Sequence, residues 1–188
     1  MGNKKNYVPG ITTKVSGSDI LEWDGDHFSF FLEGADVGLT TGGEAIDGLA
    51  VLDGSVSPVG SSCEAYLLIS LKSGGKVPGI PGRVRGEDVL GLCVTSSGTD
   101  GSGIWHMVLD GSTVGLKANS TYSLSASDDG TLLYFTTKAA IKVPPAVGSY
   151  SKVYTYNTLT GDFGAFIFDA NDAGLKGKVD GLDYNPSP

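Results

Sequence analysis

Two histidines, His27 and His106, and two cysteines, Cys63 and Cys93, are all that this 188-residue sequence offers of the residue types most metal centres and nucleophilic sites require. Neither cysteine has a CxxC partner or a histidine clustered with it, so the zinc-site pattern is excluded. G-x-S-x-G, H-E-x-x-H and the phosphate-binding glycine loop are missing too, and both histidines read as ordinary residues in or beside strands. Bases are scarce: 13 Lys and Arg stand against 21 Asp and Glu, a formal net charge of -8. No basic run is longer than Lys4-Lys5, which excludes a nucleic-acid surface, since phosphate binding needs a positive field. There is no apolar run of about 18 residues to span a bilayer as a helix. The first twenty residues lack the apolar core of a secretory signal, and Met1-Gly2 reads as a start placed on a mature sequence. No stretch keeps a helical period over three turns, so almost no helix is predicted.

The sequence is instead rich in glycine, with 29, and short apolar runs punctuated by these glycines and by 8 prolines predict strands. The runs repeat. Residues 30–39 (FFLEGADVGL), 107–116 (MVLDGSTVGL) and 166–175 (FIFDANDAGL) share an apolar stretch, an acid, a turn and a closing Gly-Leu pair. Residues 18–24, 87–93 and 151–157 align upstream, with a branched residue at Ile20, Val89 and Val153. Downstream come the alternating runs 46–54, 121–130 and 179–186, and then, in the first two copies only, the runs 65–73 and 131–138. A Val-Pro loop follows each of these last runs, at Val77-Pro78 and Val143-Pro144. The expected organisation is one repeat-built domain, 1–188, with an arm at 1–17 and four-stranded units at about 18–80, 87–148 and 151–186. The third unit stops after its third strand, and a matching Val8-Pro9 lies twelve residues before Ile20, as Val77 lies before Val89. Either residues 4–8 complete the last unit, or its edge pairs with another chain, or the chain is a segment of a longer array.

The repeated turn predicts its own chemistry. Glu33, Asp110 and Asp169 are expected to accept backbone N–H bonds, while Gly38, Gly115 and Gly174 supply a conformation closed to other residues. A second reading is a calcium site at Asp169, Asn171 and Asp172, where oxygen side chains precede a glycine as in the first half of a calcium loop, without the distal glutamate. Cys63 lies in a loop before a strand and Cys93 on the next unit's first strand. A bridge between them would close about a 30-residue loop and stabilise by roughly 3 to 4 kcal/mol; two separate thiols are the alternative.

The stretches 87–90 (EDVL), 104–116 (IWHMVLDGSTVGL), 46–54 (IDGLAVLDG) and 179–182 (VDGL) resemble a repeat of large secreted bacterial surface proteins, whose units are similar to β-propeller blades. The resemblance covers most of residues 18–186 and implies an all-β fold of three four-stranded antiparallel, propeller-like units. A three-sheet prism and a β-sandwich are the alternatives, because three units are fewer than an ordinary closed propeller uses. The expected function is a noncatalytic secreted or cell-surface module that binds a carbohydrate or protein or assembles with copies of itself by strand complementation. Low charge density, Gly/Ser/Thr-rich loops and the sequon at Asn119 agree with export. The alternative is a hydrolase using acids from facing loops, with or without calcium.

Overall fold

A computed structural model describes residues 7–183 apart from Ser61 and Ala118. The strand expected at residues 4–8 and the end of the strand expected at 179–186 therefore lie largely outside the described residues. The fold is all-β. Its strands are β1 (Ile20–Trp23), β2 (Phe28–Leu32), β3 (Ile46–Asp53), β4 (Ala65–Leu71), β5 (Val89–Ser96), β6 (Ser102–Leu109), β7 (Thr121–Ala126), β8 (Leu132–Thr137), β9 (Ile141–Val143), β10 (Ala146–Gly148), β11 (Lys152–Asn157), β12 (Asp162–Phe163) and β13 (Phe168–Asp169). Two single 3-10 turns, Gly42–Glu44 and Gly54–Val56, are the helical content of the described residues.

The strands pair antiparallel in several sheets, none closed into a barrel. Their phase differs from that of the sequence units. One sheet runs β3-β4-β5-β6, taking its first two strands from the first unit and its last two from the second. The next runs β7-β8-β11-β12, again across a unit boundary, with β13 also pairing β11. The hairpins β1-β2 and β9-β10 stand as separate two-stranded sheets. The expectation that each sequence unit folds as one sheet is thus corrected. The tight turn after β2 or β6 ends a sheet, because its backbone bond from Leu39 N to Gly34 O, or from Leu116 N to Gly111 O, folds the chain back and sends it on to the next sheet. The longer Val-Pro loops join hydrogen-bonded neighbours instead, β4 to β5 and β8 to β11. In the third unit, the expected second strand is broken into the two-residue β12 and β13, and residues 179–183 form no strand.

Two apolar cores lie on the two faces of the β3-β4-β5-β6 sheet. Successive side chains of a strand point to opposite faces, so Leu67, Ile69 and Leu71 of β4 enter one core while Tyr66 and Leu68 enter the other. Every residue of β4 is buried, which is why this strand reads as a continuous apolar run rather than an alternating one. Fully burying one such leucine contributes about 1.5 to 3 kcal/mol. Cys63, in the loop ahead of β4, is joined by a disulfide to Cys93 on β5, so the bridge ties the first sequence unit to the first strand of the second. Gly54 packs against the backbone of Cys63 too closely for any side chain. Replacing both cysteines by alanine should lower the unfolding free energy by about 3 to 4 kcal/mol, measured by denaturant titration. A loss below about 1 kcal/mol would show that the bridge constrains little.

Candidate functional site

The repeated turns are held by a different acid from the one whose recurrence stands out in the sequence. The carboxylate of Asp19, one residue ahead of β1, accepts from the amides of Ser16 (2.6 Å) and Gly34 (2.9 Å). Asp88, one residue ahead of β5, does the same with Arg85 (2.8 Å) and Gly111 (3.0 Å). Each carboxylate ties the loop entering a strand to the turn leaving its hairpin. Burial pushes the Asp88 carboxyl up from its usual range, and the two amide bonds pull it back only in part. Asp110 and Asp169 make smaller local turns, accepting from the amides of Ser112 and Asn171 at 3.0 Å each. Glu33 stands among Asp36, Asp19 and Asp100; desolvation first, and then these charges, raise its pKa. The clue to the clamp was in the sequence, since Asp19 and Asp88 precede the aligned Ile20 and Val89.

The third unit has Lys152 in that place. Its ammonium sits 3.3 Å from Asp169 Oδ2 and 3.4 Å from the centre of the Phe166 ring. Asp169 Oδ1 accepts from the Asn171 amide and the Ser151 hydroxyl, and the Asn171 side-chain amide donates to Ser151 Oγ at 2.7 Å. The bond from the Asn171 amide is the largest cause holding the Asp169 carboxyl below its usual range; burial opposes it, and the Ser151 and Lys152 contacts add to it. The proposed calcium ligands Asp169 and Asn171 are thus engaged with one another, with Ser151 and with a cation, while Asp172 is exposed. Among the described residues no three His, Cys, Asp or Glu side chains gather as a metal site.

Gly38, Gly115 and Gly174 hold φ of +87°, +89° and +77°, a region a side chain strains to enter. What lies against them differs. A Cβ at Gly38 would fall 2.5 Å from Pro78 Cγ, and one at Gly115 would fall 3.0 Å from Val143 Cγ2. In both cases the Val-Pro loop that follows the unit's fourth strand sits on the unit's turn. A Cβ at Gly174 would meet no described atom within 4 Å. The closing leucines follow suit: Leu39 and Leu116 are 2% and 0% exposed, Leu175 is 59% exposed. At the strand ends, Leu32 and Leu109 are 1% and 2% exposed against 41% for Phe168. An apolar groove of about 500 Å³ opens there, lined by Val153, Phe168, Ala170, Leu175, Val179 and Leu182. This groove is the candidate site.

One other polar constellation reaches the surface. Tyr66 on β4 and His106 on β6 stack across β5, with ring centres 5.5 Å apart and Tyr66 Oη 2.8 Å from His106 Nε2. A side chain at Gly91, between them, would collide with both. Nδ1 of His106 is buried without a partner among the described residues, and burial lowers the imidazole pKa below 6.5. His27 lies ahead of β2, where its backbone amide donates to Asp24 Oδ1 at 2.7 Å.

Comparison with protein-family models, characterised proteins and solved structures finds no match to this chain.

Two outcomes are expected. Gly115→Val should destabilise by more than about 1 kcal/mol, because a β-branched residue must enter positive φ against Val143; a melting temperature within a degree of the parent would remove the turn's claim on glycine. His106 should titrate below 6.5 in a proton NMR pH series. Unfolded chains take up that proton first, so stability should be full above about pH 6.5 and fall as pH drops from there towards the lowered folded value. A midpoint at or above 6.5 would contradict the buried neutral ring.

Proposed function

We propose that this chain is a noncatalytic extracellular or cell-surface module, built of propeller-like blades, that works by association through the groove at its third turn. The observation that carries this reading is the exposure of Leu175 and Phe168, at positions whose counterparts are sealed in the other two units. A contiguous apolar surface on a chain of net charge -8 marks a place of contact rather than a solvated face. Several further features support it. The Cys63–Cys93 bridge fits an oxidising compartment. The blade comparison is supported by two features of the sheets: they are composed alike, and β3 and β7, their first strands, lie side by side, with Gly48 of β3 against Leu124 of β7. Two of the acids that a hydrolase could use are engaged, Asp110 with its own turn and Asp169 with Lys152.

Sedimentation velocity over a wide concentration range is the test. The average mass should rise with concentration above that of one chain, and adding calcium or chelator should leave it unchanged. A single-chain mass at every concentration would remove the association. Turnover of glycosides or esters lost in Asp110→Asn or Asp169→Asn, with folding intact, would replace the noncatalytic reading by a hydrolase.

A further inference from the structure

We infer that the groove around Leu175 is a receptor for residues 8–15 of a second copy of this chain, joining molecules head to tail. This rests on the association reading above and names the partner surface. The groove is the third instance of a site filled twice within the molecule. On the first turn the occupant is the segment beginning Val77-Pro78-Gly79-Ile80. Val77 and Val84 are buried with Leu39, and Pro78 covers Gly38. On the second turn, Val143 covers Gly115, and Ile141 and Ala146 are buried with Leu116.

The sequence holds a near copy of the first occupant. Residues 8–20 (VPGITTKVSGSDI) align without a gap to 77–89 (VPGIPGRVRGEDV), and the two are identical at seven of thirteen positions. They also share a conformation. Ile11 N donates to Val8 O at 3.0 Å, as Ile80 N donates to Val77 O at 3.2 Å. Gly10 and Gly79 have φ of +88° and +76°. Proline second, a positive-φ glycine third and a bond from the fourth residue to the first make the pattern of a type II turn. Further along, Asp19 accepts from Ser16 N as Asp88 accepts from Arg85 N. Ile46 N donates to Gly17 O as Thr121 N donates to Gly86 O.

The segment is therefore already folded in the shape that seats on a turn, so little conformational freedom is lost on docking. Among the described residues it is less fully covered than its copy. At the valine position Val77 is buried and Val8 only half-buried; at the other two the copies match, Ile11 and Ile80 half-buried and Pro9 and Pro78 exposed, and Tyr7 beside Val8 is 71% exposed. A copy of the plug, exposed or half-buried over residues 7–14 with Val15 buried in its own chain, and an open copy of the socket lie on one molecule. Plug and socket are different surfaces, so the contact is heterologous: it repeats from molecule to molecule, giving a ring if the rotation closes and a filament if it does not.

Two variants and a peptide test the inference on the full chain. Leu175→Asp spoils the socket and Val8→Asp the plug, each at an accessible site, and circular dichroism and melting should confirm that both stay folded. Each variant alone should associate at least about tenfold more weakly than the parent by sedimentation. Mixed together they should form a complex of one copy each that does not grow, because only one intact plug and one intact socket remain. A peptide of residues 7–16 should dissociate the parent assembly, and the same residues in scrambled order should not. If the parent associates but both variants and the peptide leave its mass unchanged, another surface mediates association, and this inference fails while the broader reading stands. A parent that is a single chain at all concentrations overturns both. If Leu175 in that single chain is shielded from a water-soluble relaxation agent by its own residues 8–15, the plug closes within one molecule and the second copy is ruled out.

Discussion

The seating of a Val-Pro loop on a Gly-Leu turn is the contact on which the arrangement of this chain depends. Hydrogen bonds between strands build each sheet, but they do not say how one sheet stands against the next. That relation is fixed where Leu39 meets Val77 and Val84, and where Leu116 meets Ile141 and Ala146. The turn needs a glycine at positive φ to fold tightly, and the same missing side chain lets Pro78 or Val143 approach the backbone. One residue thus meets a conformational demand and a packing demand together. The Asp19 and Asp88 carboxylates hold the turn to the loop in front of the strand, so socket and plug are aligned by the same few hydrogen bonds.

The third unit keeps the turn and changes its surroundings. Lys152 replaces the clamping aspartate, and its ammonium cannot accept a bond from a backbone N–H; it pairs with Asp169 instead. The strand ahead of the turn is reduced to β12 and β13, and Phe166, Ile167 and Phe168 of this stretch are exposed rather than packed. A turn with no loop seated on it loses the apolar contacts that would hold its strand straight. The broken strand and the open groove are therefore two faces of one missing contact.

Much of this was legible in the sequence, and what was hidden has a physical reason. The period of two in 46–53 and 121–126, the breaks at glycine and the recurring Gly-Leu pairs were enough for an all-β chain of repeated hairpins. Which strands share a sheet was not legible. A repeat has no marked beginning, and strand runs alone do not tell a turn that ends a sheet from a loop that continues one. Glu33, Asp110 and Asp169 adjoin the most regular motif, whereas Asp19 and Asp88 act across fifteen to twenty-three residues of chain. The fate of Leu175 was invisible for a related reason. Burial depends on what lies on top of a residue, and its own motif matches those of Leu39 and Leu116.

An exposed apolar socket is a hazard for a chain with unpaired strand edges, and the acidic balance counters it. Net charge of one sign keeps molecules apart at long range, while screening at physiological salt confines that repulsion to about 8 Å. Non-specific collapse is opposed, but a contact that buries matched apolar surfaces at close range is not. Lys176 and Lys178 border the groove beside Asp183, and Lys152, paired with Asp169, lies against Phe166, so cations as well as acids line the socket. A preformed segment can then enter without meeting the general repulsion at full strength. The same reasoning makes the proposed association salt-tolerant: the apolar term is unaffected by screening and the opposing charge term is reduced, so added salt should strengthen such a contact rather than dissolve it.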